Sequence, residues 1–397
     1  MSVDTGRINR VTEDVHQLTW RDVTARRLAR HGLADRRTDT IADIVAAMCG
    51  AHAQIASAAE LSIGLRGTGI TRTDVRNAVA HHHDLIKTFG PRGTVHLLPA
   101  RELPMWVGAL AAVPGQRFSL PETARMSDQQ LDETVAAIGD AMLGAELTAD
   151  ELGEAVVSAV GAWAGELVVP AFGGWWPRWR QAVAVAAHRG ALVFGTPRAR
   201  TVTYTNPRTV LAEFEPGSTD TAPHELVRHF LHAYGPATSN DFARWLSAPR
   251  AWAAEIFAGV NDDLMRVQID GGRPAWMLAR DSDEPASAPR GLRLLPYFDP
   301  YVVGSYPREL LYPGIAYTRA LAGGQAGNFP VLLIDGVVMG VWHLRRAGKR
   351  LHITVEPLTK LSAKRLRELD EQVQRVAEIA EGTPTLTIDT VTVGAHA

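Results

Sequence analysis

The chain has 397 residues, 46% hydrophobic and 21% charged, the balance of a globular protein long enough for two to four domains rather than of a disordered one. No run of about 18 apolar residues is present to cross a membrane, and the charged opening MSVDTGRINRVTEDVHQL lacks the apolar stretch of a secretion signal, so a cytoplasmic chain is expected. The single cysteine, Cys49, excludes an internal disulfide and a multi-cysteine metal site, and a formal charge of −2 with a pI near 6.7 confines any nucleic-acid surface to a local patch.

Apolar periodicity predicts a helix from Trp20 to His31 stopped by Gly32, a second from Thr40 to Cys49, a third from Ser57 to Arg66, and a fourth capped by Thr71 and running to Ala80. The next stretch, DLIKTFGPRGTVHLLPA, reads as two short strands around Gly90-Pro91-Arg92-Gly93. Helices followed by a small hairpin make a winged-helix unit. The pattern returns twice. LTADELGEAVVSAV opens with Thr148 three residues before Glu151, the spacing of a capping box, and leads through a helical WPRWRQAVAVAAHRG to two β-rich runs around Pro197. HELVRHFLHAYGPATSNDFARWLS then places a tight Gly235-Pro236 turn between two helices, the second carrying Phe242, Trp245 and Leu246.

Ser282–Gly291 reads as a Pro/Ser-rich linker, followed by strand-like LRLLPYFDPYVVG and FPVLLIDGVVMGVWHLRRAGKRLHITVEPL. A last amphipathic helix carries Leu361, Leu366, Leu369, Val373, Val376 and Ile379 on one stripe, a packing face by default. The expected fold is therefore α+β: three winged-helix domains over 15–115, 116–215 and 216–285, and a β-rich module with a basic hairpin over 286–397.

Several residues stand out on chemistry. Arg345, Arg346, Lys349 and Arg350 crowd a hairpin tip around Gly348, a candidate contact for a DNA backbone and otherwise a solvated turn. Arg198 and Arg200 form a smaller patch, and Arg21, Arg26, Arg27 and Arg30 a possible third along the first helix. Arg92, between glycines, and His96 on the following strand are candidate DNA contacts, or a turn arginine and a buried histidine. His81-His82-His83-Asp84 invites a metal reading, but consecutive side chains diverge, and neither a metal nor another cofactor is expected. Trp175, Trp176 and Trp179 are expected to pack in an interface core rather than to stack on bases, and Asp299 reads as a turn former.

In combination and order, LTWRDVTARRLARHGL, GAHAQIASAAELSIGLR, GTVHLLPA, GPATSNDFARWL, LLPYFDPYVVG and VLLIDGVVMGVWHL resemble the AlkZ/YcaQ family of bacterial DNA glycosylases across roughly Leu18 to Leu386. The resemblance implies tandem winged-helix domains around a DNA channel, and gives Asp299 a second reading as a group near that channel. It implies a glycosylase that removes alkylated bases, N7-alkylpurines and bulky or crosslinking antibiotic-type adducts among them; a monofunctional enzyme acting as a monomer on double-stranded DNA is expected. It also implies a catalytic tripeptide at His52-Ala53-Gln54, where Gln54 matches the family's third position and His52 stands where glutamine is commoner. Two polar side chains at i and i+2 of an extended segment share a side and can hold one water between them. Gln54 would orient that water; neutral His52 would accept its proton, so that activity rises with pH through the histidine's titration. The competing reading is a non-catalytic winged-helix regulator.

Overall fold

The computed structural model describes residues 16–115, 120–171, 173–283 and 287–396. The opening segment up to residue 15 and Glu284–Ala286 of the expected linker lie outside them. The described chain is mixed α and β, and the early helices follow the sequence pattern closely: Trp20–Arg30, Ile41–Ala47, Ala56–Arg66 and Arg72–Ala80. Thr19 and Thr71 each accept from the backbone three residues on while Asp22 and Asp74 return the bond, so both starts are fixed by reciprocal caps.

Leu85–Phe89 and Val95–Pro99 then pair antiparallel, with the two-residue strand Ala51–His52 on the other edge of Val95–Pro99. A second three-stranded sheet joins Glu146–Thr148, Val193–Phe194 and Thr203–Thr205. In a third, His16–Leu18 runs parallel to Leu264–Ile269, which pairs with Arg273–Leu278, so the start of the described chain is completed by residues some 250 positions on. The largest sheet has five strands, Leu292–Leu295, Val331–Ile334, Val337–Ala347, Arg350–Pro357 and Thr383–Ile388, with the last pair parallel. The helix Ala363–Ile379 covers it, burying Leu369, Val373, Val376 and Ile379 with Leu61 and Leu65 of the Ala56–Arg66 helix.

Three expectations need correction. The strand-like PYFDPYVVG does not extend the Leu292–Leu295 strand: Asp299 accepts from Tyr301 N and Pro300 starts a short helix, Pro300–Gly304. Arg26, Arg27 and Arg30 are not a surface patch, because all three are buried. Arg26 donates to the carbonyls of Asp281 and Ser282, Arg27 to those of Pro236 and Tyr306, and Arg30 to that of His232 while pairing with Asp281. They pin the first helix to three distant segments, leaving Arg21 exposed. Of the three tryptophans, only Trp179 is core at 2% exposed; Trp175 and Trp176 stand 59% and 41% exposed on the hairpin Leu167–Ala171/Gly174–Pro177. His81, His82 and His83 follow the end of the Arg72–Ala80 helix, and no metal-holding group of His, Cys, Asp or Glu occurs among the described residues. No helix among them is long and apolar enough to cross a membrane.

Candidate active site

His52 sits directly across the ladder from His96, their rings 5.1 Å apart and edge to face. His96 Nδ1–H donates to the Thr94 carbonyl at 2.9 Å, which fixes its tautomer and leaves Nε2 free to accept. Gly90 makes room for that ring, since a Cβ there would stand 2.8 Å from it. Phe298 also packs against His52, its ring 4.5 Å away. Phe298 has a φ of +54°, a conformation a phenylalanine adopts only when its surroundings impose it. Two groups do so: Phe298 N donates to the Gly327 carbonyl at 2.8 Å, and the next residue, Asp299, is anchored deep in the core. There Arg66 grips both Asp299 carboxylate oxygens at 2.7 and 2.8 Å, and Ser62 Oγ donates to one of them at 2.7 Å. Asp299 is thus neither free at a channel nor only a turn former; it is the anchor that sets Phe298 against His52.

His52 is 8% exposed, and its Nδ1 has no hydrogen-bond partner among the described residues. Burial, reinforced by the Arg92 charge and by His396, pushes its pKa down to about 3. Burial, with His52 and Arg92, also holds His96 well below the ordinary range. Both rings are therefore neutral at physiological pH. Gln54 lies two residues beyond His52, exposed, with its Oε1 3.4 Å from Val95 N. The Ala56–Arg66 helix begins two residues later.

His52 opens onto a cavity of about 540 Å³ lined also by Arg92, Arg244, Arg308, Gln325 and Asn328. Arg92, held in the turn at φ +64°, reaches inward to donate to the Trp245 carbonyl. Arg308 donates to the carbonyls of Val302, Val303 and Ser305 and lies 4.1 Å over the Tyr306 ring, with Arg244 6.0 Å from that ring. None of the three has a carboxylate partner among the described residues. Burial pushes the Arg92 guanidinium below its ordinary value, the mark of a cation lacking a counter-charge.

The structure thus brings together His52, His96 and Arg92, with Gln54 beside them and outside the cavity lining. The other expected contacts lie elsewhere. Arg345, Arg346, Lys349 and Arg350 are exposed at the turn joining the two longest strands, with Arg346 donating to the Ala380 carbonyl at 2.7 Å. Arg198 is held by Glu151 at 2.7 Å and by the Glu146 carbonyl, so its charge is already balanced, while Arg200 is exposed. Arg244 and Arg308 were missed by sequence reasoning. Arg244 lies inside the quoted GPATSNDFARWL, off the apolar stripe of Ser239–Leu246, and that was the available signal. Arg308 follows Pro307 and gave none.

Known proteins resemble this chain over most of its length. The profile of the family described as DNA glycosylase AlkZ-like matches residues 45–379. A Streptomyces sahachiroi protein named interstrand DNA cross-link repair glycosylase is 30% identical over 374 residues, covering 91% of this chain and 97% of that protein. The solved structure of Streptomyces sahachiroi DNA glycosylase AlkZ superposes with a TM-score of 0.79 at 26% identity, covering 94% of this chain and all of that one.

Proposed function

The chain belongs to the AlkZ-like family of DNA glycosylases, and on that premise we propose that it hydrolyses the N-glycosidic bond of N7-alkylated purines, including bulky and crosslinking adducts, in double-stranded DNA. The observation that carries this reading is a neutral, desolvated imidazole opening onto a cavity that holds three guanidiniums and no carboxylate. The helix-then-hairpin units at 15–115, 116–215 and 216–285 are read as winged-helix domains that, with the 286–397 module, frame the DNA channel; a small three-stranded sheet within each of the first two, and a hairpin in the third joined by the His16–Leu18 strand, support this reading.

An N7-alkylpurine is already cationic, so its C1′–N9 bond breaks with the electron pair passing to a base that leaves neutral, and charge accumulates on the sugar. Three cations beside such a centre would oppose it unless anions lay between them. Phosphates of the lesion strand, held by Arg92, Arg244 and Arg308, supply those anions and fix the sugar in place. Neutral His52 then accepts a hydrogen bond from the attacking water, and Gln54 orients that water through its amide. A base with a pKa near 3 takes the proton late, once bonding to C1′ has made the water acidic.

The test is base release from duplexes carrying N7-methylguanine, a bulky N7 adduct or an interstrand crosslink. Gln54→Ala is expected to slow release by about 10²-fold or more, and Arg244→Met to raise KM and flatten the salt dependence. An intact substrate with the wild-type protein, or an unaffected Gln54→Ala variant, would sink the proposal.

The same value of about 3 changes the pH behaviour expected from sequence. His52 is neutral throughout the neutral range, so the rate of base release should be flat between about pH 5 and pH 8.5 instead of rising through an ordinary histidine titration. A tenfold rise per pH unit near pH 6, abolished by His52→Gln, would contradict it.

A further inference from the structure

The loop that presents Phe298 to His52 has a second face. Tyr297, the preceding residue, forms a wall of a separate cavity of about 200 Å³, and on the opposite side of the catalytic segment Ile55, the residue after Gln54, forms another. Further walls include Leu61 of the Ala56–Arg66 helix, Trp342 and Leu344 of the Val337–Ala347 strand, and Ile379. The catalytic segment and the 297–298 loop thus each border both chambers, His52 and Phe298 lining the polar one and Ile55 and Tyr297 the apolar one.

The apolar chamber is built to take something other than an ion. Each charged group on its edge is engaged elsewhere: Arg72 with Glu381 at 2.7 Å, Glu60 with Arg76 at 2.7 Å, and Arg346 with the Ala380 carbonyl. Arg72 and Glu60 are thus balanced by carboxylate or guanidinium partners, and Arg346 is turned onto a backbone carbonyl at the rim. A gap of this size is far larger than ordinary packing leaves between buried side chains, and apolar cavities of such dimensions accept aromatic guests. Its walls include Tyr297, Trp342, Pro296 and Pro330, ring side chains of the kind that line sites for planar ligands. Exposed Ser57 and half-buried Ile55 and Leu344 mark where it opens.

We propose that this chamber holds the planar aromatic body of a bulky N7 substituent while the sugar and phosphates of the same nucleotide occupy the arginine-lined cavity. This deepens the glycosylase reading and rests on it. Placing the adduct outside the polar chamber lets one reaction centre serve substituents of very different size, because only the apolar side has to adapt.

The test compares wild type with Leu344→Trp, which fills the chamber from the strand, and Ala380→Leu, which fills it from the far wall; thermal melting checks that each is folded. Initial excision rates are measured on one duplex carrying N7-methylguanine and on one carrying an N7-guanine adduct of a polycyclic aromatic epoxide. The aromatic-to-methyl rate ratio is expected to fall at least tenfold in a folded variant. An unchanged ratio, whether both rates hold or both fall together, overturns the assignment. Binding of free 1-naphthol to the DNA-free protein, followed by its fluorescence and lost in the same variants, is the second expected result, and its absence in wild type also counts against the chamber. If wild-type protein binds 1-naphthol but excises neither base, the glycosylase reading has failed and the cavity has not.

Discussion

Replacing Asp299 with alanine is expected to destabilise the protein by about 3–5 kcal/mol, the range for breaking a fully buried ion pair by removing one partner. Asp299 and Arg66 are both completely buried, and their two short contacts are joined by the bond from Ser62. Without the carboxylate, the Arg66 guanidinium keeps only Ser62 as a partner, and an uncompensated charge remains in the core. The Pro300–Gly304 helix also loses its cap, and Phe298 loses the residue that fixes its left-handed backbone. Asp299→Ala should therefore reduce both the urea midpoint and the excision rate. The double variant Arg66→Met/Asp299→Leu should regain much of the stability, because it removes the stranded charge, but not the excision rate. A loss below about 1 kcal/mol in Asp299→Ala would mean that Arg66 finds water, contrary to its burial.

Stability should also fall steeply with mild acid. His31, His52, His96 and His188 are all buried, and in each burial is the main force holding the ring below its ordinary value of 6.5, to about 3 for His52 and about 4 for His188. The folded chain keeps these rings neutral while the unfolded chain protonates them as pH drops through 6.5. Below that point the unfolded state binds more protons, and folding free energy is lost progressively until the folded-state values are reached. At pH 5 each ring that remains neutral costs about 2 kcal/mol relative to neutral pH, by the linkage of about 1.4 kcal/mol per unit. Four of them bring the loss to several kcal/mol. Carboxylates such as Asp22 and Asp43, lowered by their hydrogen bonds to Thr19 and Thr40, contribute only at more acid pH. Urea midpoints at pH 7.5 and pH 5 measure the effect, and His52→Gln should shrink it by about 2 kcal/mol. Equal midpoints would show that the rings protonate in place.

The parts of this architecture that were legible in the sequence are those encoded locally. Helix periods, threonine caps and the Gly90–Gly93 turn mark the first unit to within a residue or two, and the His52–Gln54 segment falls between two predicted helices. The parts that were not legible depend on partners far along the chain. Periodicity cannot tell an arginine that faces water from one that ends on a backbone carbonyl, which is why Arg26, Arg27 and Arg30 read as surface charge. Nor does it indicate that Arg92, Arg244 and Arg308, more than 200 positions apart at the extremes, line one cavity. Asp299 looked ambiguous for the same reason: its partner, Arg66, lies 233 residues away. The exposed Trp175 and Trp176 show the converse limit, since aromatic content predicts burial without saying which residues a short hairpin can cover.

The guanidinium bonds of the first helix also set an order of events during synthesis. Arg26, Arg27 and Arg30 end on carbonyls 202 to 279 residues further along, and the His16–Leu18 strand waits for Leu264–Ile269. A ribosome that has made the first 200 residues has produced none of these acceptors. The Trp20–Arg30 helix, made well before its partners, is therefore among the last elements to reach its native place, and these contacts are of the long-range kind that slows folding. Until then the first helix carries three arginines whose acceptors have yet to be made.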